Sequence, residues 1–394
     1  MEQLNKKETS LILRTCAADL TSRGGFQWPD VGGIVEVPDW KPTDECGNGA
    51  HGWLYGQGDH SCSSYLDSTA KWLVVEVESD SIVMLGGKCK FPKGIVRFVG
   101  DKHAATQYLI EHEPRAREVA VIGITVTVGD SQSAIGGALS MLTGGYGSTL
   151  TGGDRSTLTG GYGSTLTGGY GSTLTGGDDS ALTGGYGSAL TGGDRSTLTG
   201  GYGSALTGGD RSTLTGGDRS TLTGGYGSTL TGGYGSALTG GYGSALTGGD
   251  RSTLTGGDRS TLTGGDRSTL TGGDDSTLTG GDGSTLTGGD DSTLTGGYGS
   301  TLTGGYGSTL TGGDDSTLTG GDDSTLTGGY GSTLTGGYGS TLTGGDDSEL
   351  RIRYWDNKAD RYRTVIAYVG EDGIEANVPY RLDDNRKFVK VEES

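Results

Sequence analysis

Proline is nearly missing from this chain, with six in 394 residues, while glycine numbers 84. So much glycine with so little proline, on a strict period, argues against a flexible linker and for a repeat architecture. Cysteine is scarce as well. Cys16, Cys46, Cys62 and Cys89 are too few in 394 residues for a disulfide framework. The start, "MEQLNKKETSLILRTC", holds no apolar run long enough for a secretory leader, and no later stretch is long enough for a bilayer span. The expectation is a cytoplasmic protein with no membrane contact; export without a leader is compatible with the same residues. Catalytic signatures are absent too: there is no G-x-S-x-G, P-loop, Rossmann fingerprint or H-E-x-x-H. "GNGAHGWLYGQGD" (47–59) is glycine-rich but lacks the strand–loop–helix setting of a phosphate loop. These absences point away from an enzyme.

Positive charge is short where the repeats run. The net charge is −19. Residues 142–349 hold seven Arg against 21 acids, or −14, and the rest holds 22 basic against 27 acidic residues, or −5. Such a surface repels nucleic acid phosphate, so no nucleic acid partner is expected. A cationic partner suits it better. DNA mimicry would need phosphate-like spacing, which the Arg residues interrupt.

What is present divides the chain into four parts. Residues 1–120 carry four of the five Trp and all four Cys and read as a mixed α+β domain. Residues 121–141 are transitional and cap the repeats; "EVAVIGITVTVGDSQSAI" (118–135) alternates in the strand manner and is expected to start the rod. Residues 142–349 are 26 octads, with Leu at 142 and at every eighth position. Residues 350–394 read as a β-rich C-terminal cap. In the first part, "KWLVVEVESDSIVML" (71–85) reads as strand, turn and strand. "DKHAATQYLIEHEP" (101–114) reads as a helix capped by Asp101 and stopped before Pro114. In the last, "ELRIRYWDNKADRYRTVIAYVG" (349–370) alternates about a turn near Asp356-Asn357, and "YRLDDNRKFVKV" (380–391) reads as a final hairpin.

The octad is Leu-Thr-Gly-Gly-x-x-Ser-Thr, where x-x is Tyr-Gly twelve times, Asp-Arg seven, Asp-Asp six and Asp-Gly once. Strand alternation puts Leu150 inward, Thr149 and Thr151 outward, and Ser148 and Gly152 inward again. The remaining Gly-x-x must turn the chain, where glycine's tolerance of positive φ helps. Two octads then make one coil of a flattened β-solenoid, about 13 coils of 16 residues, roughly 62 Å long at about 4.8 Å per step. One Leu and one Ser per octad make a poor core, so backbone ladders and stacked identical side chains must carry the stability. The strand edges at both ends need caps.

The octad pairs, as in "GGYGSTLTGGDDSTLTGG", resemble the 16-residue repeats of bacterial ice nucleation proteins. Their Thr-x-Thr face also resembles that of β-solenoid antifreeze proteins. The resemblance covers residues 142–349 and departs from that family in lacking a strict 16-residue alternation. Residues 1–120, with "GGFQWPDVGG", "CGNGAHGWLYGQGD" and "AKWLVVEVESDSIVMLGGKCKFPKG", and the tail "YRLDDNRKFV" resemble instead a family of bacterial and phage-associated repeat proteins of uncharacterised function. Two functions are implied. One is a rigid scaffold whose Thr faces organise water, or an ice-binding or ice-nucleating protein proper. The other is a display rod whose N-terminal domain recognises an unknown protein partner.

The candidate water- or ice-organising face comprises Thr149, Thr151, Thr157, Thr159, Thr165, Thr167, Thr173 and Thr175, although Thr is also simply a good small β-former. Tyr146, Tyr162, Tyr226, Tyr242, Tyr298 and Tyr330 line the edges. The ice-nucleation resemblance implies that such a ladder can pair two rods, while side-chain stacking alone would stiffen the corner. Offset pairing of Asp with the next coil's Arg is expected where Asp-Arg corners stack, as at Asp194-Arg195 and Asp210-Arg211. No cofactor is expected. Cys46, His51, His60 and Cys62 are residue types that ligate zinc, in a C-x4-H-x8-H-x-C spacing that matches no standard finger. Gly-Gly-Asp corners resemble calcium-binding β-rolls, which use a nine-residue period and a different Asp position.

Overall fold

A computed structural model describes residues 8–391. The chain divides into two compact units: residues up to 176 with 183–188, and residues 177–182 with those from 189 onward. A β-solenoid of about 14 turns runs over residues 125–352, with a sheet domain before it and antiparallel strands after it.

The first unit opens with a seven-stranded sheet. Its strands are β1 (Thr9–Cys16), β2 (Ile34–Glu36), β3 (Ala50–Leu54), β4 (Lys71–Glu78), β5 (Val83–Met84), β6 (Cys89–Phe91) and β7 (Lys93–Gly100), in the order β2-β7-β4-β1-β3-β6-β5. β1 lies antiparallel between β3 and β4, so it is central. Ile12, Cys16, Trp28, Leu73, Val75 and Phe91 form one apolar core. α1 (Lys102–His112) packs against β1, β4 and β7. It starts as expected: the Asp101 carboxylate accepts from the Ala104 N–H at 2.8 Å, and Pro114 follows its end. The 71–85 segment is strand, turn and strand, as expected. After β4 comes a 3-10 turn at Ser79–Ser81, and β5 pairs with β6 and not with β4.

In the same unit the solenoid starts earlier than the octads do. β8 (Thr125–Val128) and β9 (Ser133–Ile135) form a turn of their own, in which Val126 sits in register with Leu142 and Ala134 with Leu150. The transitional segment is thus itself a turn, which raises the count from 13 to about 14. Below it, the Ile122 N–H donates to Gly56 O at 2.9 Å, and Lys102 Nζ donates to Leu139 O at 2.9 Å. These bonds tie the sheet domain to the first turn of the solenoid.

Every repeat turn takes 16 residues. Thr149, Leu150 and Thr151 pair in parallel with Thr165, Leu166 and Thr167, and Thr157–Thr159 pairs likewise with Thr173–Thr175. The second unit keeps that register, for example Leu254 with Leu270 and Leu262 with Leu278. Each Leu is buried and so is each repeat Ser. The Ser212 hydroxyl donates to Gly209 O three residues back at 2.7 Å, which satisfies a polar group inside the core. Corners are laddered as well: the Arg211 N–H donates to Tyr226 O at 2.7 Å.

The glycines divide between two roles, and the positive φ expected of the corner is one of them. Positive φ falls on the second x residue: Gly227 has φ 60°, Arg211 57° and Asp275 57°. The Gly-Gly pair itself has ordinary φ and is required by close packing. A Cβ on Gly208 would meet Ser212 Oγ and lie 2.8 Å from Leu214 Cδ1; one on Gly209 would meet Asp194 Oδ1 and lie 2.8 Å from its backbone N.

The second unit ends by changing strand direction. Glu349–Asp356 adds in parallel to Thr333–Gly336 and then pairs antiparallel with Arg361–Tyr368. Tyr380–Leu382 lies antiparallel on Thr341–Gly344 and closes a hairpin with Phe388–Lys390. Both hairpins match expectation. The outer strand Arg361–Tyr368 carries Arg361 and Arg363, charges that blunt an open edge.

Candidate functional site

Strand alternation builds the candidate face. In Thr-Leu-Thr the Leu is buried and both Thr are exposed, including Thr149, Thr151, Thr157, Thr159, Thr165, Thr167, Thr173 and Thr175. The parallel register stacks Thr on Thr, so each face carries two columns about 6.5–7 Å apart with a repeat of about 4.8 Å. The inner column, as at Thr151, is Thr in every octad. The outer one is interrupted by Ala181, Ala189, Ala205, Ala237 and Ala245. The longest uninterrupted grids therefore lie in the second unit, from Thr253 to Thr319 on one sheet and from Thr261 to Thr327 on the other. Those residues were legible from the Ala positions alone. Toward the end, Thr333, Thr335, Thr341 and Thr343 are partly covered.

The corners divide by chemistry. Tyr146 and Tyr162 stack at 5.5 Å, and Tyr170 and Tyr186 at 5.4 Å. In the second unit Tyr226 and Tyr242 stack at 5.5 Å. Tyr298 and Tyr330 lie on the other edge of that unit, with the Asp314 corner between them, so these six Tyr do not form one ladder. The Tyr298 hydroxyl is held above its ordinary pKa by its hydrogen bond to Asp315.

Asp at the first x position caps backbone. Asp194 Oδ1 accepts from the Asp210 N–H at 2.9 Å, and Asp210 Oδ1 from the Tyr226 N–H at 2.8 Å. This replaces the expected pairing of Asp194 with Arg211. The ion pairs use the second x position instead: Arg195 binds Asp179 through two contacts of 2.7 Å. Other Arg side chains lie over Tyr rings, as Arg219 does over Tyr202 at 5.8 Å. Among the described residues no three His, Cys, Asp or Glu are placed to hold a metal ion. In particular Cys46, His51, His60 and Cys62 do not gather into one ligand set. The Cys46 thiol accepts from Lys88 Nζ at 3.2 Å, while His51 Nε2 accepts from the Gly47 N–H at 3.4 Å.

The fold and the grid define a β-solenoid protein of tandem 16-residue turns with Thr-x-Thr faces. The repeat region is 42% identical over 109 residues to the ice nucleation protein InaU of Pantoea ananas, a match covering 27% of this chain and 10% of that protein. It is 49% identical over 104 residues to an ice nucleation protein of Pseudomonas syringae, covering 26% and 9%, and 38% identical over 110 residues to one of Xanthomonas campestris pv. translucens, covering 27% and 7%. The chain thus spans at most a tenth of the length of these relatives. No family model and no solved structure matches it. Among the described residues no helix is long and apolar enough to cross a membrane.

Proposed function

We propose that this ice-nucleation-like repeat protein acts without catalysis, as a rigid solenoid whose Thr-x-Thr faces order water into an ice-like layer. The observation that carries the proposal is the unbroken register of outward Thr between Thr253 and Thr327. A regular array of methyls and hydroxyls on a laddered backbone holds its spacing without reorganising, which a loop cannot do. The four thiols are unpaired, which suits a reducing compartment such as the cytoplasm.

The test is droplet freezing temperature and thermal hysteresis on the full chain, beside a variant carrying T253K, T269K, T285K and T301K on one face and T261K, T277K, T293K and T309K on the other. The parent should freeze water above the buffer control or show hysteresis. The variant should lose most of that activity with its circular dichroism unchanged. Inactivity of the parent, or equal activity in the variant, rejects the proposal. Equal activity would favour the second reading, a spacer for the N-terminal domain. That reading is supported by the relatives matching the repeats alone.

A further inference from the structure

The N-terminal sheet domain holds a cavity and two unpartnered buried donors, apart from the Thr faces. β1 places Ile12, Arg14 and Cys16 on one side, because alternate residues share a face. Ile12 and Cys16 are fully buried in the apolar core beside Trp28. Arg14 is thus a guanidinium set into a hydrophobic face, with its carbon Cζ 5.1 Å from the centre of the Trp28 ring. Burial alone makes its charge costly and pulls its pKa down.

The domain shows elsewhere how it accommodates such a charge. Lys90 is fully buried, and its Nζ reaches Glu45 O at 2.8 Å, Gly47 O at 3.3 Å and Thr43 Oγ1 at 3.4 Å. Arg14 is treated differently. Its Nη1 donates to His51 O at 2.8 Å, but its buried Nε meets no acceptor. Among the described residues no carboxylate lies within ion-pair distance of it. The neighbouring Trp28 is 2% exposed, and its Nε1 is a second buried donor with no acceptor. Both groups can only donate, and a buried donor left unpaired destabilises the fold.

Both residues line one half-open cavity of about 710 Å³. Arg23 and Lys88 add positive charge to its wall, and Phe26 an aromatic surface; Asp39 is its only carboxylate, and accepts from Asn48 Nδ2 at 3.3 Å. This is an electropositive cleft in a chain of net charge −19. His51, also on the wall, has its pKa lowered to about 4 by burial and then by Lys88 and Arg14. The volume suits a small organic molecule.

The geometry points to this cleft as a binding site for a small organic anion, whose carboxylate or phosphate oxygens accept from Arg14 Nε and Trp28 Nε1 once a side-chain shift in the cleft wall uncovers these closed-off donors, while Lys88 offsets the charge at the rim. The ligand's body would lie against Phe26. Carboxylate and phosphate share this chemistry, and the probes separate them.

The experiment is isothermal titration of the full chain with benzoate, AMP and inorganic phosphate, beside the neutral counterparts benzamide and adenosine. At least one anion should bind at one site per chain, about tenfold or more tighter than its neutral counterpart. Binding of benzoate alone assigns a carboxylate; binding of AMP or phosphate assigns a phosphate. W28F keeps the ring but removes the donor and should weaken binding about tenfold, as should R14M. K88Q, at the rim, covers the case in which either core variant fails to fold. No binding by any of the three anions, equal binding of a neutral counterpart, or unchanged affinity in the folded variants overturns the assignment.

Discussion

At the residue scale, the octad's two variable positions are set by backbone needs. The second x residue holds positive φ, which suits Gly; seven Arg and six Asp nevertheless occupy it at φ between 55° and 58°. A left-handed conformation costs a non-glycine residue about 1–2 kcal/mol, so these positions exist for what their side chains touch. Arg195 pairs with Asp179 and gains part of that cost back. R211G should therefore raise the urea midpoint, with a net gain of about 0.5 kcal/mol once glycine's greater freedom in the unfolded chain is counted. R195G should gain less, because it also loses the pair. Equal shifts in both variants would show that the Arg195–Asp179 pair contributes nothing. The Gly-Gly pair was legible as a corner, but its reason was not. Sequence suggested φ; the structure shows that Ser212, Leu214 and Asp194 leave no room for a Cβ.

At the element scale, one turn is two three-residue strands and two corners, with two Leu in its core. So little apolar area leaves no reserve. L214A should cost about 2–5 kcal/mol, and G208A about 1–3 kcal/mol by forcing Leu214 and Ser212 apart. Both are read from chemical denaturation followed by far-UV circular dichroism. A loss below about 0.5 kcal/mol for L214A would mean that the ladders alone hold the turn. The solenoid's end also belongs to this scale. Parallel addition stops where Arg361–Tyr368 and Tyr380–Leu382 run antiparallel, and the alternation of "ELRIRYWD" foretold the hairpin. The earlier start was legible as well, since 118–135 alternates in the strand manner, although Val126 and Ala134 replace Leu and no octad motif sets their register.

At the scale of the whole molecule, stability and charge are unevenly placed. Most of the −19 sits on the repeats, while three cations of the N-terminal domain, Arg14, Arg23 and Lys88, line one cleft. His51 gives that domain a pH response. Its pKa falls from 6.5 to about 4 on folding, so between those values the unfolded state binds more protons than the folded one. Its contribution is therefore present above about pH 6.5 and is lost as pH drops toward 4. Tryptophan fluorescence reports this domain, since Trp28, Trp40, Trp53 and Trp72 all lie in it. Urea midpoints at pH 7.5 and pH 5 should differ more for the parent than for H51Q. Equal differences would place the response on other groups.

Period, coil size and the inward Leu followed from sequence alone, because an eight-residue repeat admits few ways to alternate, turn and stack on itself. The outward Thr columns and their Ala gaps were fixed at the same level. Only the tertiary structure decided what lies outside the period. It set the register of the 125–135 turn, sent Asp194 Oδ1 to a backbone N–H instead of an Arg, and set Tyr226 and Tyr298 on different edges. It also brought Arg14, Trp28 and Lys88, distant in sequence, around one cleft. Local repetition is written in neighbouring residues; a site assembled across a mixed sheet depends on strand order, which nothing local specifies.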